Sequence, residues 1–178
     1  MIISLNASLF CASEPCGLVV SAIICPAERT VTHLVALGNR QYEYEERLVP
    51  LNLLSQGAHH FIDLRCSQTT FNQLPLFEGS HALLPFGTIN IQSRTVIQAK
   101  NGRVGVLSHL ILEPVSNHIS HLIMQYSHFR KQRQVMIPIA QVQTLDDSVI
   151  SLNIDKQALT TLPAVSQKPT GFHIPYPS

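Results

Sequence analysis

Apolar and polar residues alternate from the start of the chain: Ile3, Leu5, Ala7 and Leu9 are apolar, Ser4, Asn6 and Ser8 polar. A period of two places the apolar set on one face of a β-strand. Residues 18–25 are a near-continuous apolar run of strand length, residues 26–30 a turn opened by Pro26, and residues 31–37 a β-branched return strand. A polar connection, 38–46, leads to a short strand at 47–51 edged by Pro50, and 57–60 turns into a strand at 61–64. Thr70, Phe71 and Leu74 lie at helical spacing, with Ser67 the expected N-cap and Pro75 the stop. Turns at intervals of roughly 6–12 residues predict small all-β barrels, closed or partly closed, rather than a βαβ fold.

The same order returns in the second half. A shift of 88 residues lays Gly17 on Gly105, Ile23 on Ile111, Pro26 on Pro114, His33-Leu34 on His121-Leu122, and Pro50 on Pro138. It also lays Ile62 on Ile150, Leu64 on Leu152 and Leu74-Pro75 on Leu162-Pro163. The identities fall on glycines, prolines and apolar strand positions, where a backbone has something to enforce. The chain is therefore read as a duplicated module: residues 1–77, then a linker at 78–88, then residues 89–165. The linker carries Leu83, Leu84 and Phe86 and is expected to pack rather than to act as a free tether. Residues 166–178, with three prolines, are expected to be extended or disordered. Units of about 75–80 residues are near the lower limit for an independent core, so the two are expected to pack on each other or on a partner.

Composition narrows the function classes. Twelve Lys and Arg against eleven Asp and Glu give a net charge of +1, so no global field steers the protein to nucleic acid or an acidic membrane. With 45% hydrophobic and 13% charged residues, part of the apolar surface is expected to be an interface. No apolar run approaches the roughly 18–20 residues that span a bilayer, so no membrane insertion is expected. Cys11 and Cys16 face Ala99 and Val104 in the other copy, and Cys25 and Cys66 face Glu113 and Ile154. No pair recurs, which predicts free thiols and a cytoplasmic, reducing location.

Nine histidines invite a metal site, but His118 and His121, three apart, point to opposite faces of a strand, and no thiol or carboxylate stands at a recurring ligand spacing. Four residues separate Cys11 from Cys16, where a redox motif keeps two. Asp146-Asp147 sits where a turn wants aspartate for its own backbone hydrogen bonds. No glycine spacing matches a phosphate-cradling loop. The expectation is no catalytic residue, no metal, no cofactor and no small-molecule substrate. What does distinguish the copies is one connection. It is acidic in the first, with Tyr42, Glu43, Tyr44, Glu45 and Glu46, and basic in the second, with Phe129, Arg130, Lys131 and Arg133. Opposite charges on repeat mates could pair the loops, within the chain or between chains.

The run Asn101-Gly102-Arg103-Val104-Gly105-Val106, with His109-Leu110-Ile111-Leu112-Glu113-Pro114, His118-Ile119-Ser120-His121-Leu122-Ile123 and Val135-Met136-Ile137-Pro138, resembles the PRC-barrel domain. That family includes the cytoplasmic domain of the photosynthetic reaction-centre H subunit and the C-terminal domain of the bacterial ribosome maturation factor. The first copy is more degenerate, with Glu14-Pro15-Cys16-Gly17 where the second has Gly102-Arg103-Val104-Gly105. The resemblance implies an all-β protein of two tandem small PRC-type β-barrels. It also implies a non-enzymatic interaction or scaffold module that docks on a larger assembly through a protein partner or by self-association. An RNA- or ribosome-associated assembly factor is the second reading, carried by Phe129 and the cations beside it. A soluble subunit of a photosynthetic membrane complex is a distant third.

Overall fold

The alternation at residues 3–9 runs straight through a break in the strand. In the computed structural model, which describes residues 1–38, 45–55, 61–77, 86–128 and 131–165, the Ala7 N–H donates to the Ser4 carbonyl at 3.1 Å. That turn splits the expected first strand into β1 (Ile2–Ser4) and β2 (Ser8–Cys11). The first unit continues with β3 (Glu14–Cys25), β4 (Thr30–Gly38), β5 (Glu46–Pro50), β6 (Phe61–Leu64) and a short helix α1 (Gln68–Asn72). The Ser67 hydroxyl accepts from the Thr70 N–H, as its N-cap position requires. The second unit repeats this order with two added strands, beginning with β7 (Ile89–Gln92), β8 (Val96–Ala99), β9 (Gly102–Leu112), β10 (Ile119–His128) and β11 (Lys131–Pro138). It ends with β12 (Val142–Leu145), β13 (Val149–Leu152), α2 (Lys156–Leu159) and β14 (Ala164–Val165).

The 88-residue shift holds at the level of individual hydrogen bonds. Leu48 N–H to Pro75 O at 2.9 Å recurs as Met136 N–H to Pro163 O at 3.1 Å, and Arg65 N–H to Leu53 O at 2.7 Å recurs as Asn153 N–H to Gln141 O at 2.9 Å. It also explains two glycines. A Cβ on Gly17 would sit 2.7 Å from the Leu37 carbonyl oxygen, and one on Gly105 would sit 2.6 Å from that of Gln125, the counterpart of Leu37. Each precedes the same close approach of β3 to β4 or β9 to β10, where only hydrogen fits.

The strands form an eight-stranded sheet, β12-β13-β8-β9-β10-β11-β14 with β1 added to β9, and a six-stranded sheet, β5-β4-β3-β2-β6 with β7 added to β3. The fold is mostly β, as expected, but neither sheet closes into a barrel. At the centre of each sheet lies one of the two longest strands, β3 or β9. Each is lined along one side by its own β4 or β10. The other side of β3 takes β2 at residues 14–18 and then β7 at residues 21–24. The other side of β9 takes β8 at residues 102–106 and then β1 at residues 109–111. The leading strands are thus exchanged between the units, with matching register: Ile3 faces Leu110, and Ile91 faces Ala22. The exchanged strands lie beside the interior strands β3 and β9, away from the end strands β5, β6, β12 and β14 at which either sheet would have to close.

A second junction lies on the pseudo-two-fold axis. Thr30 bridges its own counterpart His118, with Val31 N–H to Asn117 O at 3.1 Å and Ile119 N–H to Arg29 O at 2.8 Å. Arg29 and Asn117 both take left-handed backbone, φ 54° and 55°. Asparagine tolerates this; for arginine it is uncommon. The Arg29 guanidinium reaches across to donate to the carbonyls of Ile139 and Val142, at 3.2 and 3.3 Å. One continuous core results, running from Ile3, Leu5, Leu34, Ile62 and Phe71 to Ile91, Leu107, Leu110, Leu122 and Ile150.

The cysteines depart from expectation. Cys11 and Cys16 form a disulfide, and the free thiols among the described residues are Cys25 and Cys66. The spacing misled because the pair is cross-strand. The turn is the two-residue Ala12-Ser13 loop, so Cys11 faces Glu14. The register shift between Leu9 and Phe10 makes Cys16 the extra residue of a β-bulge, which turns its side chain to the same buried face as Cys11. Both turn residues have positive φ, 51° and 72°, a strain of roughly 1 kcal/mol each without glycine.

Because one core spans both units, Ile3→Ala and Ile91→Ala, each truncating a fully buried side chain in an exchanged strand, should cost about 2–4 kcal/mol. Each should lower a single cooperative unfolding transition of the whole chain. Calorimetry resolving two transitions, with only one moved by either change, would mean that the units fold separately.

Candidate interaction site

The two charged connections lie at the far ends of β4 and β10. Because Thr30 and His118 pair antiparallel, β4 leaves the bridge in one direction and β10 in the other. Their ends, Gly38 and His128, therefore lie on opposite sides of that bridge along the chain directions. Tyr42, Glu43, Tyr44, Phe129 and Arg130 lie outside the described residues. Glu45 is engaged locally, in an ion pair with the largely buried Arg47, whose guanidinium also donates to the Leu74 carbonyl at 2.7 Å. Glu46 opens β5, facing Leu37, and its carbonyl accepts from the Phe77 N–H at 2.8 Å. Lys131 opens β11 opposite His128; Arg133 stands opposite Tyr126 and is exposed. Arg133 is thus the described basic-loop residue whose side chain is displayed to solvent.

A surface that composition did not reveal lies on the outer face of the first unit. In β2, Leu9 and Cys11 point into the core, so Ser8 and Phe10 point out. Leu18 and Phe61 flank Ser8 on either side, and the rings of Phe10 and Phe61 meet edge to face at 6.1 Å and 83°. Leu18 is 39% and Phe61 42% exposed. The corresponding residues of the second unit are Val106, Gln98 and Val149, without an aromatic ring. The signal was in the sequence: an outward position of one strand holds phenylalanine in one copy and glutamine in the other. β6, which carries Phe61, is also the end strand of its sheet.

A shallow groove of about 280 Å³ opens on the same sheet, lined by His33, Leu48, Pro50, Leu74 and Pro75. It adjoins a small second cluster of Ile23, Val35 and Leu48 with Phe77 packed against it. His33 and its counterpart His121 occupy the same register, opposite Pro50 and Pro138. Their surroundings differ: His121 Nδ1 lies 3.1 Å from the Ser120 hydroxyl, whereas His33 Nδ1 is buried without a hydrogen-bond partner. Burial holds the His33 imidazole below its ordinary pKa, because desolvation disfavours the charged ring.

Of the other chemistry weighed from the sequence, Asp146 serves its own turn, accepting from the Ser148 N–H at 3.2 Å and the Ser148 hydroxyl at 3.0 Å. Asp147 does more. Its carboxylate accepts the Asn90 N–H at 2.7 Å, occupying a donor on the outer edge of the exchanged strand β7. Among the described residues no three His, Cys, Asp or Glu side chains converge as a metal site would require. No helix among them is long and apolar enough to cross a membrane.

Neither a scan against protein-family models nor a search of curated proteins found a match to this chain.

The His33 environment predicts a sign. With a folded pKa below the unfolded one, His33 is neutral in both states above the unfolded value and costs nothing there. As pH falls, the unfolded chain takes the proton first, and stability is lost until the folded-state pKa is passed. Thermal melts from about pH 7.5 down to about pH 5 should therefore show a decline that His33→Gln makes shallower. An unchanged slope in the variant would mean that His33 contributes nothing to it.

Proposed function

We propose that this chain is a non-enzymatic interaction module, a tandem of PRC-barrel-like units whose shared framework displays different surfaces to a protein partner in a larger assembly. The observation that carries this reading is the Phe10, Leu18 and Phe61 patch on the outer face of β2, β3 and β6, present in one copy and replaced by Gln98, Val106 and Val149 in the other. Two copies of one framework have the same folding requirements at matched positions, so aromatic rings kept half-exposed in one copy only are not needed by the fold. Apolar side chains clustered on an end strand are the usual nucleus of a protein–protein contact. The resemblance of the Gly102–Leu112 strand and its flanking runs to PRC-barrel sequences agrees in kind, since that family is implied to dock on proteins and assemblies.

The test swaps in the other copy's residues. Phe10→Gln with Phe61→Val in the full chain should leave the fold intact, at a cost under about 2 kcal/mol from the lost ring pair. Affinity purification from the native cell should lose the proteins that the wild type retains. If the double variant captures the same partners in the same amounts, the patch is not the docking surface.

A further inference from the structure

The disulfide has an internal control, because the second unit builds the same hairpin without one. Ala99 and Val104 stand in place of Cys11 and Cys16, both buried, and β8 and β9 pair in the corresponding register. There only Gly102, the residue after the loop, has positive φ, at 119°. In the first unit two non-glycine residues, Ala12 and Ser13, take left-handed backbone between the crosslinked strands. The framework therefore does not need the crosslink to form the hairpin, and the crosslinked copy is the one with the unfavourable turn.

The hairpin also touches the base of the acidic connection. Cys16 adjoins Gly17, which faces Gly38 in register and packs under the Leu37 carbonyl and the Phe71 ring. The Gly38 N–H donates to the Glu45 carbonyl at 3.0 Å, closing that connection at its base. Both cysteines are about fully buried, at 1% exposure, while Ala12 to Pro15 at the tip are exposed. An external thiol therefore reaches the sulfurs only when the tip opens.

We propose that the Cys11–Cys16 bond is a redox latch: oxidised, it holds the strained β2–β3 hairpin and the bulge at Cys16; reduced, it lets the hairpin relax and loosens the Gly38–Glu45 closure. The electron source is an external dithiol. Its thiolate attacks one sulfur, the Cys11–Cys16 bond breaks, and a mixed disulfide forms while the departing cysteine thiolate takes up a proton. The second external thiol then displaces the remaining cysteine, so two electrons and two protons pass to Cys11 and Cys16 and the external dithiol leaves as a disulfide. Burial of the sulfurs makes the rate of reduction depend on tip opening. The inference does not rest on the docking surface proposed above, although Phe10 and Leu18 lie in the same hairpin.

Alkylation of the full chain, purified without reductant and then denatured, should label Cys25 and Cys66 alone, and all four cysteines after dithiothreitol treatment of the folded protein. Hydrogen exchange should then be about tenfold faster or more at residues 8–19 and at Gly38 in the reduced protein, with residues 96–107 unchanged. The variant Cys11→Ala with Cys16→Val, carrying the second unit's residues, should exchange identically with and without dithiothreitol. Four labelled cysteines before reduction, a bond that dithiothreitol leaves intact in the folded protein, or equal exchange at residues 8–19 in both states would each overturn the latch. Faster exchange confined to the hairpin, with Gly38 unmoved, would overturn its coupling to the acidic connection.

Discussion

A strand of eleven or twelve residues presents more backbone donors and acceptors than one short neighbour can satisfy, and β3 and β9 are each in that position. The β2 and β8 hairpins cover only the first half of their long partners. Burial of the second half leaves its backbone groups no access to water, so a further strand is required, and each unit takes it from the other. The turns that redirect β1 and β7 and the common core beneath Ile3 and Ile91 serve that requirement. Asp147, reaching to the Asn90 N–H, attends to the same problem at the outer edge of the borrowed strand.

The duplication is symmetric in its backbone and asymmetric in its side chains. Counterparts share hydrogen bonds, bulges and the glycines under the β4 and β10 carbonyls, because these depend on chain path. They differ where the path leaves side chains free: Phe10 against Gln98, Cys16 against Val104, the bare Nδ1 of His33 against the one beside Ser120. Function in such a molecule is expected among the differences, since the similarities are already accounted for by folding.

The sequence carried the all-β class and the positions of its turns because glycine, proline and period-two alternation report on the local backbone, whereas closure into barrels depends on which strands meet at the sheet ends. Gly17 and Gly105, Pro50 and Pro138, and the Ser67 cap all sit where the pattern placed them, within the all-β class. The exchange was illegible for a physical reason: Ile3 and Ile91 show the same inward alternation whichever unit supplies the neighbouring strand. The disulfide was hidden because a bulge changes which residues share a face, and counting the residues between Cys11 and Cys16 assumes there is none. The Phe10 and Phe61 patch was legible in principle, since matching the copies position by position shows an outward phenylalanine against a glutamine. Charge is the more visible difference between the copies, and it marks connections of which only Glu45, Glu46, Lys131 and Arg133 fall among the described residues.

Arg29 gives the junction a polarity. On a two-fold axis each half meets its own likeness, and a contact made once is made twice. Here the long arm extends from one side only, onto the Ile139 and Val142 carbonyls, while its counterpart Asn117 has no such reach. An assembly of two first units would bring two such arms to the axis, and one of two second units would bring none. The halves are thereby not interchangeable at this contact, since one supplies the arm and the other the two carbonyls, and a single chain carries both.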